Sequence, residues 1–478
     1  MAISTTRWIP RDGIKPLRMA VINRGESAVR FMRTARVWSR RHDRPIELIA
    51  FYTEPDAKAP FVQMADRAIY LGDPFMVDAE GVRKSSYLDV EGLVALCKEN
   101  DVDTVWPGWG FLGESPELSE ACKREGITFI GPDADVMRLL GDKVRSKAFA
   151  EEHNVPVSPW SGKAISDPEE ALQAAERIGF PLILKAAAGG GGRGIRLVRE
   201  PGEIESAFRT ATAEALAAFG DGAVFIEKFV ESARHVEVQI LADRHGTVWS
   251  LGTRDCSVQR RHQKVLEETP APALDPAVED AICASARRMA KACGYLGAGT
   301  AEFLLLPDKK TFYFLEMNAR LQVEHTISEC VFGVDLVDAQ IDVALGQHLP
   351  EEAPQRRGAA IEARLNAEEP DMGFAPAGGL IRTFDFPGGP GIRVDAGFRA
   401  GDSISGAFDS NIAKIIAQGR DRAEALARLE QALRDTRVVI EGGLTNRAMI
   451  LEILTEDDFI NVTHTTKWLD TYLGRRPQ

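Results

Sequence analysis

The sequence predicts a multidomain chain of mixed α/β and α+β class. A parallel-sheet amino-terminal region comes first, then a central region built from strand pairs, then an α+β carboxy-terminal region. Three observations carry this reading. Strand and amphipathic-helix signals alternate over residues 17–130, the pattern of a parallel sheet covered by helices. Strand–loop–strand pairs replace that alternation from about residue 181. Beyond a charged, Pro-containing stretch at 350–357, several strands precede a helix. At 478 residues the chain exceeds one ordinary domain and suggests about three.

Taken in order, residues 17–22 are a short apolar strand that ends in Asn23-Arg24-Gly25-Glu26. Ala28, Met32, Ala35 and Trp38 then recur at three- and four-residue spacing, which predicts a helix. Residues 46–52 are the next strand, 93–97 lie in a helix, and 104–106 are a strand leading into Pro107-Gly108-Trp109-Gly110. Residues 127–130 close the set. Ligands favour the carboxyl ends of such strands, where both glycine-containing turns lie. Tight turns and direct ligand contact are equally good readings of them, and no G-x-G-x-x-G supports a dinucleotide site.

The second region opens at Asp142-Lys143. A strand at 181–187 carries Lys185, then come Gly189 to Gly192, Arg193 and Gly194, then a strand at 195–198. Glycines let backbone N–H groups surround phosphate oxygens, and a lysine on the preceding strand reaches the same phosphates. Strand–loop–strand order without Walker spacing predicts a flap over a nucleotide, the alternative being a plain flexible hairpin. A helix at 201–218 and a strand at 224–230 follow. Residues 234–242 alternate, with Val236, Val238 and Ile240 on one face and His235, Glu237 and Gln239 on the other. A strand at 247–252 precedes the polar stretch 254–268, whose Arg260, Arg261, His262 and Lys264 form a basic cluster suited to an anion.

A helix at 275–293 leads to two β-runs, 301–306 and 312–317, around Pro307-Asp308-Lys309-Lys310, an antiparallel hairpin. Pairing Leu306 with Phe312 puts Glu302 opposite Glu316. Facing like charges are destabilising unless a cation sits between them or one pKa rises. With Asn318 they offer hard oxygen ligands for Mg²⁺ or Mn²⁺. Period-two geometry puts Glu316, Asn318, Arg320, Gln322 and Glu324 on one face. A helix follows Val334. Strands are predicted at 359–366, 380–386, 392–395 and 412–418, and a helix at 421–433.

Composition excludes some functions. A net charge of −13 argues against non-specific nucleic-acid binding. No apolar run is long enough to span a membrane, and the first sixteen residues lack a signal-peptide core. Cysteines at 97, 122, 256, 283, 293 and 330 show no C-x-x-C spacing and read as core residues of a reducing compartment, so the expected location is cytoplasmic.

From Leu17 to about Leu473 the chain resembles biotin carboxylase, the ATP-grasp component of biotin-dependent carboxylases. The resemblance rests on GDK at 141–143, LILKAAAGGGGRGI at 182–195, EKFVESARHVEVQILAD at 227–243, RDCSVQRRHQKVLEE at 254–268, EMNARLQVEH at 316–325 and EARLNAE at 362–368. Departures are Trp106 and Trp109 where the family usually has His and Tyr, Ala319 and Thr326 where it has Thr and Pro, and a lengthened segment around 75–83.

The resemblance implies an amino-terminal domain at 17–140, an ATP-grasp domain at 141–350 with a mobile lid at about 157–229, and a carboxy-terminal domain at 351–473. It implies that ATP phosphorylates bicarbonate to carboxyphosphate, which carboxylates biotin on a carrier protein, the first half-reaction of an acetyl- or propionyl-CoA type carboxylase. Lys143, Lys185, His235, Gln259 and His262 then contact the nucleotide, Gly191 and Gly192 close over its phosphates, and Glu227, Lys228 and Val230 hold adenine. Glu302, Glu316 and Asn318 ligate Mg²⁺ or Mn²⁺. Lys264, Arg320, Gln322 and Val323 hold bicarbonate, Glu324 is its general base, and Arg364 stabilises the biotin enolate.

Implied partners are a biotin carboxyl carrier protein or domain, a carboxyltransferase and a second copy of the chain; nucleic acid and membrane are not among them. No Met-Lys-Met biotin-attachment motif is present, so the chain is expected to be a free subunit or the amino-terminal part of a larger polypeptide. Two other readings are an ATP-grasp ligase with a different acceptor and a nucleotide-binding regulatory module. RHQK at 261–264 and RLQVEH at 320–325 argue against the first, and the intact acidic and basic set against the second.

Overall fold

The computed structural model describes residues 15–78, 81–187 and 195–475. Five parallel strands open the fold, in spatial order Arg67–Tyr70, Ile46–Tyr52, Leu17–Val21, Thr104–Trp106 and Thr128–Phe129. Helix Gly25–Arg41 buries the predicted Ala28, Met32, Ala35 and Trp38 stripe against Met19 and Val21. The strand order reverses beside Leu17–Val21, and the crevice of such a sheet lies at that switch point. There the two glycine-containing turns clamp each other. Asn23 Nδ2 donates to the Pro107 and Trp109 carbonyls at 2.6 and 2.9 Å. Gly108, at φ +67°, is required: a Cβ there would stand 2.5 Å from Ser27 Oγ and 2.7 Å from Asn23 Nδ2. The lengthened segment folds as a small hairpin, Phe75–Val77 against Arg83–Ser85.

A separate three-stranded sheet places Leu182–Ala186 between Val224–Lys228 and Arg196–Val198. Helices Pro168–Ile178 and Ile204–Phe219 cover it, with Ala171, Ala175, Ala211 and Ala215 packed on Leu182, Leu184 and Val198. The glycine loop at 189–194, including Gly191 and Gly192, lies outside the described residues.

Eight further strands form one antiparallel sheet, in order Phe312–Asn318, Gly297–Leu305, Arg234–Ala242, Val248–Arg260, Gln263–Thr269, Ala359–Asn366, Asn411–Gly419 and Ile392–Ala396, and Gly379–Asp385 lies apart, between Ser403–Ile404 and Arg437–Ile440. The large sheet runs without a break across the charged linker: Leu266 pairs with Ala363 and Thr269 with Ala360. No helix among the described residues is long and apolar enough to cross a membrane, and all six cysteines are free.

Three local expectations change. The predicted strand at 247–252 runs on into the polar stretch 254–268 as one strand, Val248–Arg260, and the rest of the stretch turns back as the antiparallel strand Gln263–Thr269. In Val248–Arg260 the middle polar residues Arg254, Asp255, Ser257 and Gln259 are buried, whereas Arg260 is half-buried and Arg261 and His262 are exposed at the turn. The extended run expected through Glu324 ends at Asn318, and His325–Phe332 is a helix. The hairpin holds Glu302 opposite Glu316 as counted, but Leu305, not Leu306, pairs with Phe312. A bulge between Glu302 and Phe303 absorbs the extra residue and restores the register at the carboxylates.

Candidate active site

The site is built on the large sheet, with the small sheet beside it. Glu237, Glu302 and Glu316 sit in register on three adjacent strands. Lys264, on the strand Gln263–Thr269, reaches over them. Its Nζ lies 2.6 Å from Glu237 Oε2, 3.2 Å from Glu302 Oε1 and 2.6 Å from Glu324 Oε1. Burial lowers the pKa of this ammonium, yet the three carboxylates outweigh it and hold the pKa well above the usual lysine value. Arg254 pins Glu237 from below, Nε to Oε1 at 2.6 Å, and also reaches Gln239, Ser328 and Thr300.

Glu324 is fully buried at the N-cap position of helix His325–Phe332, where negative charge is favoured. One oxygen takes Lys264 Nζ; the other takes Arg364 Nη2 at 2.9 Å. Burial raises its pKa, but Lys264 and Arg364 outweigh burial and the repulsion of Glu237, so the carboxyl titrates below its usual range. Arg364 Nε also donates to Glu267 Oε1 at 2.5 Å. Arg320 leaves the hairpin at its bend and bonds Glu114 Oε2 at 3.0 Å, Gln322 Oε1 at 2.8 Å and Asn318 Oδ1 at 3.3 Å. Although the strand stops early, Asn318 Nδ2 and Gln322 Nε2 both still reach Glu302 Oε1, at 3.0 and 3.3 Å.

The facing carboxylates respond in opposite directions. Burial drives Glu316 up, but Lys143 overcomes it at 2.7 Å and holds the carboxyl at about 2. Glu302 is raised, by burial first and by Glu316 and Glu237 as well, against the pull of Lys264 and His235. His235 Nε2 lies 3.4 Å from Glu237 and Glu302 but is aligned with neither. Hard oxygens, repulsion across the pair and an unpartnered buried nitrogen are what a divalent cation and phosphates would resolve, so the residues fit both.

Nearer the small sheet, Asp142 caps helix Lys143–Glu152 by accepting from Val144 and Arg145 N–H, which fixes Lys143 at the first helical position. Glu227 accepts from both Lys185 and Lys147. Burial raises Glu227, and the two ammonium groups outweigh it to hold the carboxyl at about 2. Lys228 Nζ bonds the Phe180 carbonyl at 2.7 Å, Val230 follows in a half-buried loop, and Gln259 is buried in its strand. His262 stands at the exposed tip of the hairpin, and no bond joins it to the cluster among the described residues.

Glu114, Arg254, Glu267 and Lys147 belong to the same network and were not singled out from sequence. Lys147 alone carried a local signal, one helical turn after Lys143. The others are brought in by pairings between strands and loops remote in sequence.

A lysine-bearing small sheet beside a carboxylate-rich antiparallel sheet, with Lys143 on Glu316 and Lys185 on Glu227, is the arrangement of an ATP-grasp ligase. Residues 15–137 match the biotin carboxylase N-terminal domain, 142–352 the ATP binding domain of the carbamoyl-phosphate synthase L chain, and 362–471 the biotin carboxylase C-terminal domain. The chain belongs to the biotin carboxylase family. Biotin carboxylase 1 of Bacillus subtilis (strain 168) is 42% identical over 457 residues, covering 95% of this chain and 98% of that protein. Pyruvate carboxylase 1 of Caenorhabditis elegans is also 42% identical over 95% of this chain, which spans 38% of that protein. The solved biotin carboxylase–β,γ-ATP complex of Campylobacter jejuni superposes with a TM-score of 0.88 at 38% identity, covering 96% of this chain and 99% of that one. The biotin carboxylase domain dimer of Hydrogenobacter thermophilus 2-oxoglutarate carboxylase, with MgADP, ADP and bicarbonate, gives 0.88 and 38%, covering 97% and 99%. The enzymes of this family use ATP, Mg²⁺ and bicarbonate and act on biotin held by a carrier protein.

Proposed function

We propose that this chain carries out the first half-reaction of an acetyl- or propionyl-CoA type carboxylase: bicarbonate is phosphorylated to carboxyphosphate, and biotin on a carrier protein is carboxylated. The observation that carries the mechanism is Glu324, fully buried with one oxygen on Lys264 and the other on Arg364. A carboxylate held ionised beside two cations can take a proton from bicarbonate as its oxygen attacks the γ-phosphorus of ATP. Lys264, Arg320, Gln322 and the Val323 N–H orient bicarbonate. Lys143, Lys185 and His235 line the phosphate side, with Gln259, His262, Gly191 and Gly192 completing it, and Glu227, Lys228 and Val230 border the adenine. A divalent ion held by Glu302, Glu316 and Asn318 would supply charge neutralisation at the phosphates. Carboxyphosphate then breaks down to CO₂ and phosphate, and the released phosphate takes the N1′ proton of biotin as the nitrogen attacks the carbon of CO₂. Arg364, a planar permanent cation, stabilises the negative charge that gathers on the ureido oxygen of the biotin enolate.

The domain division at 17–140, 141–350 and 351–473 belongs to the same reading, as does pairing with a carrier, a carboxyltransferase and a second copy of the chain. Relatives acting in pyruvate and 2-oxoglutarate carboxylases define the competing acceptors. The test is twofold. Phosphate release and carboxybiotin formation are measured with free biotin, then carrier and carboxyltransferase components of each acceptor class are added. Bicarbonate-independent ATP cleavage refutes the half-reaction; productive coupling to a pyruvate and not an acyl-CoA transferase refutes the acceptor.

A further inference from the structure

Lys414 lies mid-strand in Asn411–Gly419 and is completely buried. A buried ammonium must be paired to be tolerated. Its neighbours come from all three parts of the chain. Nζ donates to the Val323 carbonyl at 2.7 Å. Glu26, in the first turn of helix Gly25–Arg41, brings Oε1 to 3.2 Å without the alignment of a hydrogen bond. The Trp109 ring centroid is 5.0 Å away, within cation–π reach. Burial raises Glu26 to about 7 and Glu362 to about 8 despite the nearby ammonium. Both carboxyls therefore hold protons for much of the time at neutral pH, and the Val323 carbonyl is the firm partner.

That carbonyl shares its peptide plane with the N–H of Glu324. Fixing its direction fixes how Glu324 enters the N-cap position. We infer that Lys414 is a positioning residue for the bicarbonate step, holding the Val323–Glu324 turn so that the Val323 N–H and the Glu324 carboxylate face one bicarbonate. The inference rests on the reading of Glu324 as the base.

Lys414→Met keeps the length and removes the donor; Lys414→Gln keeps a donor without the charge. In the full chain, Lys414→Met lowers kcat/KM for bicarbonate in ATP cleavage about tenfold or more, the effect of losing one charge-assisted bond. The KM for ATP stays within about twofold, because the nucleotide contacts lie on other strands. Lys414→Gln recovers more than half of the loss. Because Lys414→Met also removes the ammonium beside Glu26, the double variant Lys414→Met/Glu26→Met is made alongside as a control for packing. Replacing both members of a buried pair by apolar side chains is often neutral for stability, so the double variant folds and keeps the bicarbonate defect. Normal bicarbonate kinetics in either Met variant, equal losses against ATP and bicarbonate, or a Gln variant as impaired as the Met one overturns the assignment. Glu324→Gln in parallel distinguishes the failures. If it abolishes bicarbonate-dependent cleavage while Lys414→Met does not impair it, only the positioning role falls; if Glu324→Gln stays active, the base assignment falls.

Discussion

Replacing Glu324 and Arg364 separately should uncouple the two halves of the reaction, although the side chains touch at 2.9 Å. Glu324→Gln preserves volume and removes the proton acceptor. A positioned base contributes about a hundredfold or more, so bicarbonate-dependent ATP cleavage and carboxybiotin formation should fall together by at least that factor. Arg364→Ala removes two contacts, one on Glu324 and one on Glu267. Glu324 keeps Lys264 at 2.6 Å, the foremost of the charges that lower its pKa. Burial already raises Glu267 to about 7 against the pull of Arg364, so without the guanidinium it protonates at neutral pH and leaves no stranded charge. ATP cleavage should therefore fall by no more than about tenfold, the low end for one hydrogen bond to a charged group. Carboxybiotin should fall about a hundredfold, as for loss of a donor to developing charge. The assay follows phosphate release and carboxybiotin in the same samples, with and without bicarbonate. If Arg364→Ala reduces both products in equal proportion, the two residues act as one unit and the division of roles is wrong.

Glu316→Gln should raise the Mg²⁺ concentration for half-maximal turnover by about tenfold or more in a protein that still folds; an unaltered Mg²⁺ response rejects Glu316 as a ligand. Glu227 has a folded pKa of about 2, below its ordinary 4.5. Its stabilisation is therefore complete above pH 4.5 and is lost as pH falls toward 2. The stability gap between wild type and Glu227→Gln should be flat above pH 5 and close toward about pH 2 in urea titrations; a gap that widens on acidification contradicts the ion-pair account. Lys185→Met should raise the KM for ATP more than that for bicarbonate, and the reverse order would remove Lys185 from the phosphate side.

Local pattern revealed much of this, for reasons the structure makes plain. The strand–helix alternation over 17–130 is a backbone periodicity, and the parallel sheet follows from it. Glu302 facing Glu316 was legible because both lie beyond a short loop, even though the count passed over a bulge it could not see. The alternation of Asn318, Arg320, Gln322 and Glu324 imitates a strand, while the backbone turns into a helix; the side chains converge through the bend instead. Glu237 was placed only on the polar face of an alternating strand; that face is buried and meets Arg254 and Lys264. Neither residue predicts the other locally, since only the pairing of Arg234–Ala242 with Val248–Arg260 joins Glu237 to Arg254. The pairing of Gln263–Thr269 with Ala359–Asn366 was equally out of reach, because nothing in either strand specifies a partner ninety-odd residues away.

That last pairing bears on how the chain can be recombined with its relatives. Residues 350–357 look like a natural splice point, polar and without regular structure. A chimaera joined there would nonetheless inherit one half of a hydrogen-bonded seam from each parent: Leu266, Glu267, Glu268 and Thr269 against Ala363, Glu362, Ile361 and Ala360. Glu267 and Glu362 face each other in that seam, and Arg364 stands two residues beyond. The seam is thus also where an acid–base partner set is shared between parents. Exchanges that take Gln263–Thr269 and Ala359–Asn366 from one parent preserve this seam, whereas those that split them ask two lineages to agree on both register and charge.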